Sequence, residues 1–351
     1  MLWAACLVVG VGALKHFTYE VVDTQPHSTA YFTQGLLFRQ PDNRLVEGTG
    51  IPGQSMLALY SSSSVGNKLG VELKRPIPND EHFGEGIAQI NQALYQLTWR
   101  NGKVMVWDSQ TLEWNRTIDL PREMAEGWGL TTSAGWTEQL IASEGSAKLF
   151  WLSVADGDGT LRVDREVVVR DCQNNKLVTG LNELETMPLR LTHPELASKP
   201  IPSVITNHQQ EDVELFAKRE MLGVKPSQTR IGATVWGNVY GTPCIAIIDP
   251  ESGDLLGYLH LDGLGGTNQE ADVLNGIAFK DDGTETVWVT GKRWDKLYQI
   301  KIHPIGEDDT VTGPIANYVK KCQATFVTQP RQKYPSSTGC PNKKQPQRDG
   351  L

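Results

Sequence analysis

An all-β chain, a five-bladed β-propeller of four-stranded blades closed by its N-terminal strand, is the fold this sequence predicts. Three observations predict it. Five segments open on a residue of special chemistry and run into a short apolar stretch: QGLLF from Gln34, EGIAQI from Glu85, WGLTT from Trp128, NELE from Asn182 and NGIAF from Asn275. Further β-rich runs follow each segment at hairpin distance, and such even spacing marks repeated antiparallel sheets. The last unit lacks a fourth run, while a spare run, Phe17–Asp23, stands near the start of the chain.

The elements follow in order. After each first strand comes a second: RLVEGTG, ALYQLTW, QLIASEGS, TVWGNVY and TVWVTGK. A third often closes on an acid and a turn, as in KVMVWDSQT, KLFWLSVADG, CIAIIDPESG and KLYQIKI, and a fourth reads WNRTIDL, LRVDREVVV and LLGYLHL. Four strands per unit and five units give the propeller. The spare strand completes the last blade, which removes an open sheet edge. Successive starts lie 51, 43, 54 and 93 residues apart, so the fourth unit carries an insertion of about residues 186–230. Its stretch Glu211–Leu222 predicts a helix ending at Gly223.

Both ends differ from the body. Leu2 to Leu14 carries no charge and ends near Val11-Gly12-Ala13, a small-x-small form, so residues 1–14 are expected to be a signal peptide and the protein secretory or extracellular. No other apolar run is long enough to span a bilayer. Residues 15–318 are expected to form the propeller domain, and residues 319–351, rich in Lys, Gln, Pro and Ser, a flexible tail. With 33 basic against 41 acidic residues, net −8, and no basic cluster in the body, nucleic acid is excluded as a partner. A monomer is expected.

The five cysteines offer no CxxC pair and no zinc-site spacing. Cys322 and Cys340 bracket the tail and are placed to close a disulfide in an oxidising compartment, whereas Cys244, in an apolar strand run, is expected to be a buried, inert thiol. Asn115-Arg116-Thr117 is a glycosylation sequon.

Antiparallel pairing puts the start of each first strand and the end of its second strand at one face. Gln34, Glu85, Trp128, Asn182 and Asn275 therefore converge on one channel mouth, joined by Trp99, Tyr240 and Lys292. The insertion joins its two strands at the opposite face. Singly, each residue has a plainer reading: blade packing for a Trp, a turn or cap for an Asn, a rim charge for Lys292, a Glu85–Lys292 salt bridge. Together they describe a small-molecule or peptide-end pocket.

Six ordered motifs, FTQGLLF (32–38), FGEGI (83–87), GWGLT (127–131), LNELE (181–185), VLNGIA (273–278) and TGKRW-KLYQI (290–300), resemble the plant and bacterial type of glutaminyl-peptide cyclotransferase. The resemblance covers about Phe17 to His303, apart from the insertion. It implies a five-bladed propeller, an aminoacyl-type acyltransferase that turns an N-terminal glutamine of a peptide or protein into pyroglutamate with loss of ammonia, and no cofactor or catalytic metal. It places the catalytic glutamate on Glu85 and the substrate-binding residues on Gln34, Trp99, Trp128, Asn182 and Lys292. Tyr240 stands where the family has a further tryptophan, Pro243 where an Asp often follows, and Glu144 where an Asp is common.

The chemistry suits these groups. The α-amine must attack its own side-chain carboxamide, so the pocket chiefly holds the reactive conformer. One carboxyl, Glu85, can carry a proton from the amine to the departing nitrogen. Burial against Trp99 and Trp128 would raise its pKa unless Lys292 opposes the shift. Lys292, Asn182 and an indole N–H are the expected donors to the oxyanion. Two other functions compete: a non-catalytic peptide- or ligand-binding propeller, which has no need of Glu85 and Lys292, and a calcium-dependent lactonase, which wants several carboxylates where only Glu85 starts a first strand.

Overall fold

The computed structural model describes residues 14–61, 68–133, 139–155, 159–192, 233–305 and 321–322. Residues 1–13 of the expected signal segment, the expected helix over 211–222, Cys340 and most of the tail lie outside these residues.

Among the described residues the named elements are strands, apart from one 3-10 turn, Leu189–Leu191. β1 (Lys15–Pro26) comes first. The first four-stranded sheet is β2 (Thr33–Arg39), β3 (Arg44–Thr49), β4 (Met56–Tyr60) and β5 (Val71–Pro76). The second is β6 (Gly84–Ile90), β7 (Ala93–Thr98), β8 (Lys103–Asp108) and β9 (Trp114–Asp119). The third is β10 (Leu130–Thr132), β11 (Gln139–Ser143), β12 (Lys148–Val154) and β13 (Leu161–Val168). A short ribbon, β14 (Arg170–Asp171) with β15 (Lys176–Leu177), precedes β16 (Leu181–Pro188). The chain continues through β17 (Ala233–Val239), β18 (Cys244–Ile248) and β19 (Leu255–His260) to β20 (Leu274–Phe279), β21 (Val287–Gly291) and β22 (Lys296–Pro304).

The last two groups merge into one eight-stranded sheet, in the order β16-β17-β18-β19-β1-β22-β21-β20. β1 runs antiparallel to β22 from Phe17↔Pro304 to Pro26↔Lys296, and parallel to β19 only over Lys15–Phe17. The chain's own beginning thus lies between β19 and β22 in this sheet. The result is an all-β, propeller-like arrangement of small four-stranded groups.

Strand alternation explains how the groups hold together. Successive side chains point to opposite faces, so each inner strand feeds two interfaces. In β3, Val46 packs toward the second sheet with Ile87, Leu94 and Met105, while Leu45 packs toward the last with Ala278, Trp288 and Leu297. Phe150 and Trp151 divide in the same way between the second and fourth groups, and a further cluster joins Trp236, Ile245 and Ile247 to Ile277, Val287 and Ile300. β2 abuts β6 and β20, β6 abuts β10, β10 abuts β16, and β16 abuts β20.

The inserted segment joins β16 to β17 where Pro188 faces Ala233, at the end of the hairpin opposite Leu181↔Val239 and Asn182. β16 itself runs on to Pro188, past the start expected for the insertion.

The cysteines depart from expectation. Cys244 is bonded to Cys322, with a Cα–Cα distance of 5.3 Å and a sequence separation of 78. Cys322 therefore does not pair with Cys340, and Cys244 is not a free thiol. Cys172 is disulfide-bonded too. Sequence spacing carries no information about a partner this remote. Cys322 is also buried, so this part of the expected tail is anchored to β18. Asn115 is exposed on β9, the outer strand of its sheet. Among the described residues no helix is long and apolar enough to cross a membrane.

Candidate active site

The site residues are those that the sheet ladders leave out. Between β2 and β3 the register passes from Thr33↔Thr49 to Gly35↔Gly48, omitting Gln34. Between β6 and β7 it passes from Gly84↔Thr98 to Ile87↔Gln96, omitting Glu85 and Gly86. Asn182 and Glu183 are omitted likewise in β16, and Asn275 and Gly276 in β20. A bulge re-aims the side chain it carries, and here four bulges fall at equivalent points of four groups. In the third group, Trp128 and Gly129 lie just ahead of β10. Only glycine fits at 129, where a Cβ would come within 1.9 Å of the Asn182 carbonyl oxygen.

Second-strand ends meet these starts as expected. Trp99 N–H donates to the Phe83 carbonyl at 3.1 Å, Tyr240 N–H to Gly180 at 2.8 Å, and Lys292 N–H to Val273 at 2.9 Å. Trp128 N–H donates to Ser143 at 3.1 Å.

Glu85 is 4% exposed, in keeping with a group that works away from water. Its Oε1 accepts from Gln34 Nε2 at 3.0 Å, and its Oε2 has no hydrogen-bond partner. Gln34 is held in turn, its Oε1 accepting from Asn275 Nδ2 at 2.8 Å. The Oδ1 atoms of Asn182 and Asn275 are buried without partners. Neither Asn is a turn residue at the surface; both are fully packed.

Burial pushes the Glu85 carboxyl well above the ordinary carboxylate range; the Lys292 charge opposes this and Glu126 adds to it. Burial likewise lowers the Lys292 ammonium below the ordinary amine value, against the pull of Glu85 and Asp272. Lys292 is neither a rim charge nor the partner in a salt bridge with Glu85. Its Nζ lies 4.8 Å from the Phe32 ring centroid and 4.9 Å from that of Tyr240, a cation–π position between two rings.

A continuous wall links these groups. Phe32 meets Phe83 edge to face at 5.9 Å, Phe83 meets Trp99 at 5.6 Å, and Trp128 meets Tyr240 at 5.8 Å. Glu126 spans the gap between the tryptophans, its Oε2 accepting from Trp99 Nε1 at 2.7 Å and Trp128 Nε1 at 2.9 Å. Both indole N–H groups are therefore committed, and neither is a free donor for an oxyanion. This corrects the sequence expectation and leaves Lys292 and Asn182. Glu144 is buried and accepts from Ala125 N–H at 2.8 Å and Ser146 Oγ at 3.1 Å, bracing the loop that carries Glu126.

Sequence reasoning missed Phe32, Phe83 and Glu126 as site residues, and counted Asn275 only among the strand starts. Phe32, Phe83 and Glu126 each stand two residues before a first-strand start, a position that carries Gly180 and Val273 in the other two groups; only the two phenylalanines repeat there. Among the described residues, Cys244, His260 and Cys322 bring three ligand-type atoms together, but the two sulfurs are bonded to each other and cannot serve as thiolates.

A profile of the glutamine cyclotransferase family matches residues 4–192 and 228–302, the break falling in the inserted segment. The chain is 31% identical over 289 residues to the glutaminyl-peptide cyclotransferase of Arabidopsis thaliana, covering 81% of this chain and 71% of the plant protein. Its fold matches the crystal structure of Myxococcus xanthus glutaminyl cyclase with a TM-score of 0.58 and 25% identity, over 84% of this chain and all of the bacterial one. Profile, sequence and fold agree, and the chain belongs to the glutamine cyclotransferase family.

Proposed function

We propose that this protein is a glutaminyl-peptide cyclotransferase, an acyltransferase that closes the N-terminal glutamine of peptides or proteins into pyroglutamate and releases ammonia. One observation carries the reading. Glu85 is a buried carboxyl with one oxygen fixed by Gln34 and the other without a partner, within electrostatic reach of Lys292, Glu126 and Tyr240. Glu183 also has an unpartnered oxygen, so what distinguishes Glu85 is its company: the Gln34 amide, and the Lys292 ammonium held between Phe32 and Tyr240.

The α-amine attacks the side-chain carboxamide carbon, forming the ring C–N bond. Oε2 of Glu85 takes the amine proton. The carboxamide oxygen gathers the negative charge, opposite the Lys292 ammonium and the Asn182 side chain. When the intermediate collapses, the exocyclic C–N bond breaks and Glu85 returns the proton to the leaving nitrogen, which departs as ammonia. Raising the Glu85 pKa makes the carboxyl a stronger base toward the amine proton, and the same group returns that proton as the acid. The unpartnered Asn182 and Asn275 oxygens provide acceptors for substrate N–H groups. Phe32, Trp99, Trp128 and Tyr240 exclude the water that would otherwise hydrolyse the amide.

The pairing of β1 with β22, and the succession of inner strands β2, β6, β10, β16 and β20, support five blades closed by the N-terminal strand. Two disulfide-bonded positions on the body and the apolar N-terminus support an oxidising, secretory or extracellular location. The test of function is ammonia release, with the matching mass loss, from a Gln-initiated peptide and not from its Nα-acetylated form. Turnover should persist in chelator, since the residues named carry every proton and charge.

A further inference from the structure

Glu126 is the carboxylate the reaction does not use. Its Oε2 takes both indole N–H groups, at 2.7 and 2.9 Å, and its Oε1 accepts from Arg100 Nε at 2.8 Å. The Arg100 guanidinium lies over the Trp99 ring, 4.1 Å from its centroid. Trp99 and Trp128 come from different sheets, one at the end of β7 and the other just before β10. Backbone bonds from Gly127 N–H to the Thr98 and Trp99 carbonyls, at 3.2 and 3.1 Å, bring the two segments together, and the oxygen shared by two donors ties the indole rings themselves.

We propose that Glu126 is a positioning residue for the cyclisation: it pins the two indoles as facing walls, and so sets how tightly the N-terminal glutamine is held in its folded conformer. This rests on the cyclotransferase reading of the site. The role belongs to the acceptor oxygen rather than to the negative charge. Arg100 is largely exposed, with its side chain 67% accessible, so it can turn away from a neutral group at little cost. An amide at position 126 still offers the indoles an oxygen; a methyl does not.

The experiment compares Glu126→Ala and Glu126→Gln, using the full chain and a Gln-initiated peptide. Losing the acceptor should raise KM about tenfold in Glu126→Ala, with kcat changed far less. Glu126→Gln should restore KM to near the wild-type value. A merely structural role would lower melting temperature and scale activity with folded protein, leaving KM alone, and that result would overturn the proposal. Equal KM losses in both variants would overturn it as well, since they would assign the effect to charge. Should Glu126→Ala not fold, Glu126→Ser replaces it, its side chain too short to reach either indole. A wild type that releases no ammonia would sink the reading of the site instead. The near-UV circular dichroism of the indoles then decides: a band altered in Ala and kept in Gln supports the proposal, and one band shared by all three proteins overturns it.

Discussion

Gln34 donates its side-chain amide to Oε1 of Glu85 at 3.0 Å, and nothing among the described residues meets Oε2. The carboxyl is thus oriented by one oxygen and left available by the other. Gln34 is itself fixed through Asn275, whose Nδ2 also donates to the Thr33 carbonyl at 2.9 Å. First strands of three different groups, β2, β6 and β20, therefore set the direction of one side chain.

Lys292 bears on that carboxyl through charge. Its ammonium lowers a Glu85 pKa that burial raises. Lys292→Met keeps an unbranched chain between Phe32 and Tyr240, with a thioether that packs against rings, but removes the cation. Loss of an oxyanion donor should lower kcat by about 10²–10³. Glu85 should rise further, so the limb of the kcat/KM pH profile that reports it should move to higher pH. A profile that stays in place would mean Lys292 does not act on Glu85.

Glu183 occupies the place where the other four first-strand starts have glycine. It is 1% exposed; Oε1 accepts from Leu36 N–H of β2 at 3.3 Å and Oε2 has no partner. Burial, with Glu185 nearby, pushes it well above the ordinary range, so the folded chain holds this proton more tightly than the unfolded one. The associated stability is complete below the unfolded pKa of about 4.3 and is lost as pH rises through the folded pKa. Glu183→Gln is never charged and should escape that loss. Between about pH 5 and pH 8, melting temperature should fall less in Glu183→Gln than in wild type. Glu85 contributes with the same sign but is present in both proteins, so the difference isolates Glu183.

Removing the Cys244–Cys322 bond with Cys322→Ser should cost about 2–4 kcal/mol of stability. Turnover at low temperature should persist, because the bond ties a later segment to β18 and none of the site residues lies on that strand. Melting curves with turnover measured well below the transition check both parts. The Ser variant is preferable to a reductant, which would also open the bond at Cys172.

How far the sequence reaches depends on whether a feature is local. Strand alternation is local, so the runs from QGLLF to KLYQI marked the sheets, and the shared first-strand start marked Gln34, Glu85, Trp128, Asn182 and Asn275. The ends of second strands, Trp99, Tyr240 and Lys292, followed from antiparallel pairing. Glu126 was hidden because the position two before each start carries Phe, Phe, Glu, Gly and Val in turn, and so shows no repeat. Its role comes from two indoles brought together by packing, as does the loss of their N–H groups as oxyanion donors. The Cys244–Cys322 bond spans 78 residues, and such a contact has no signature in spacing.

Glu85→Gln tests the central claim most directly, measured as kcat on a Gln-initiated peptide beside the melting temperature of the same preparation. The amide keeps the shape and the contact with Gln34 but cannot pass a proton from amine to leaving nitrogen. With a melting temperature near wild type or above it, since a costly buried carboxyl is gone, kcat should fall by about 10²–10⁴ while KM changes little. A folded, substrate-binding Glu85→Gln enzyme with near-normal kcat would contradict the account.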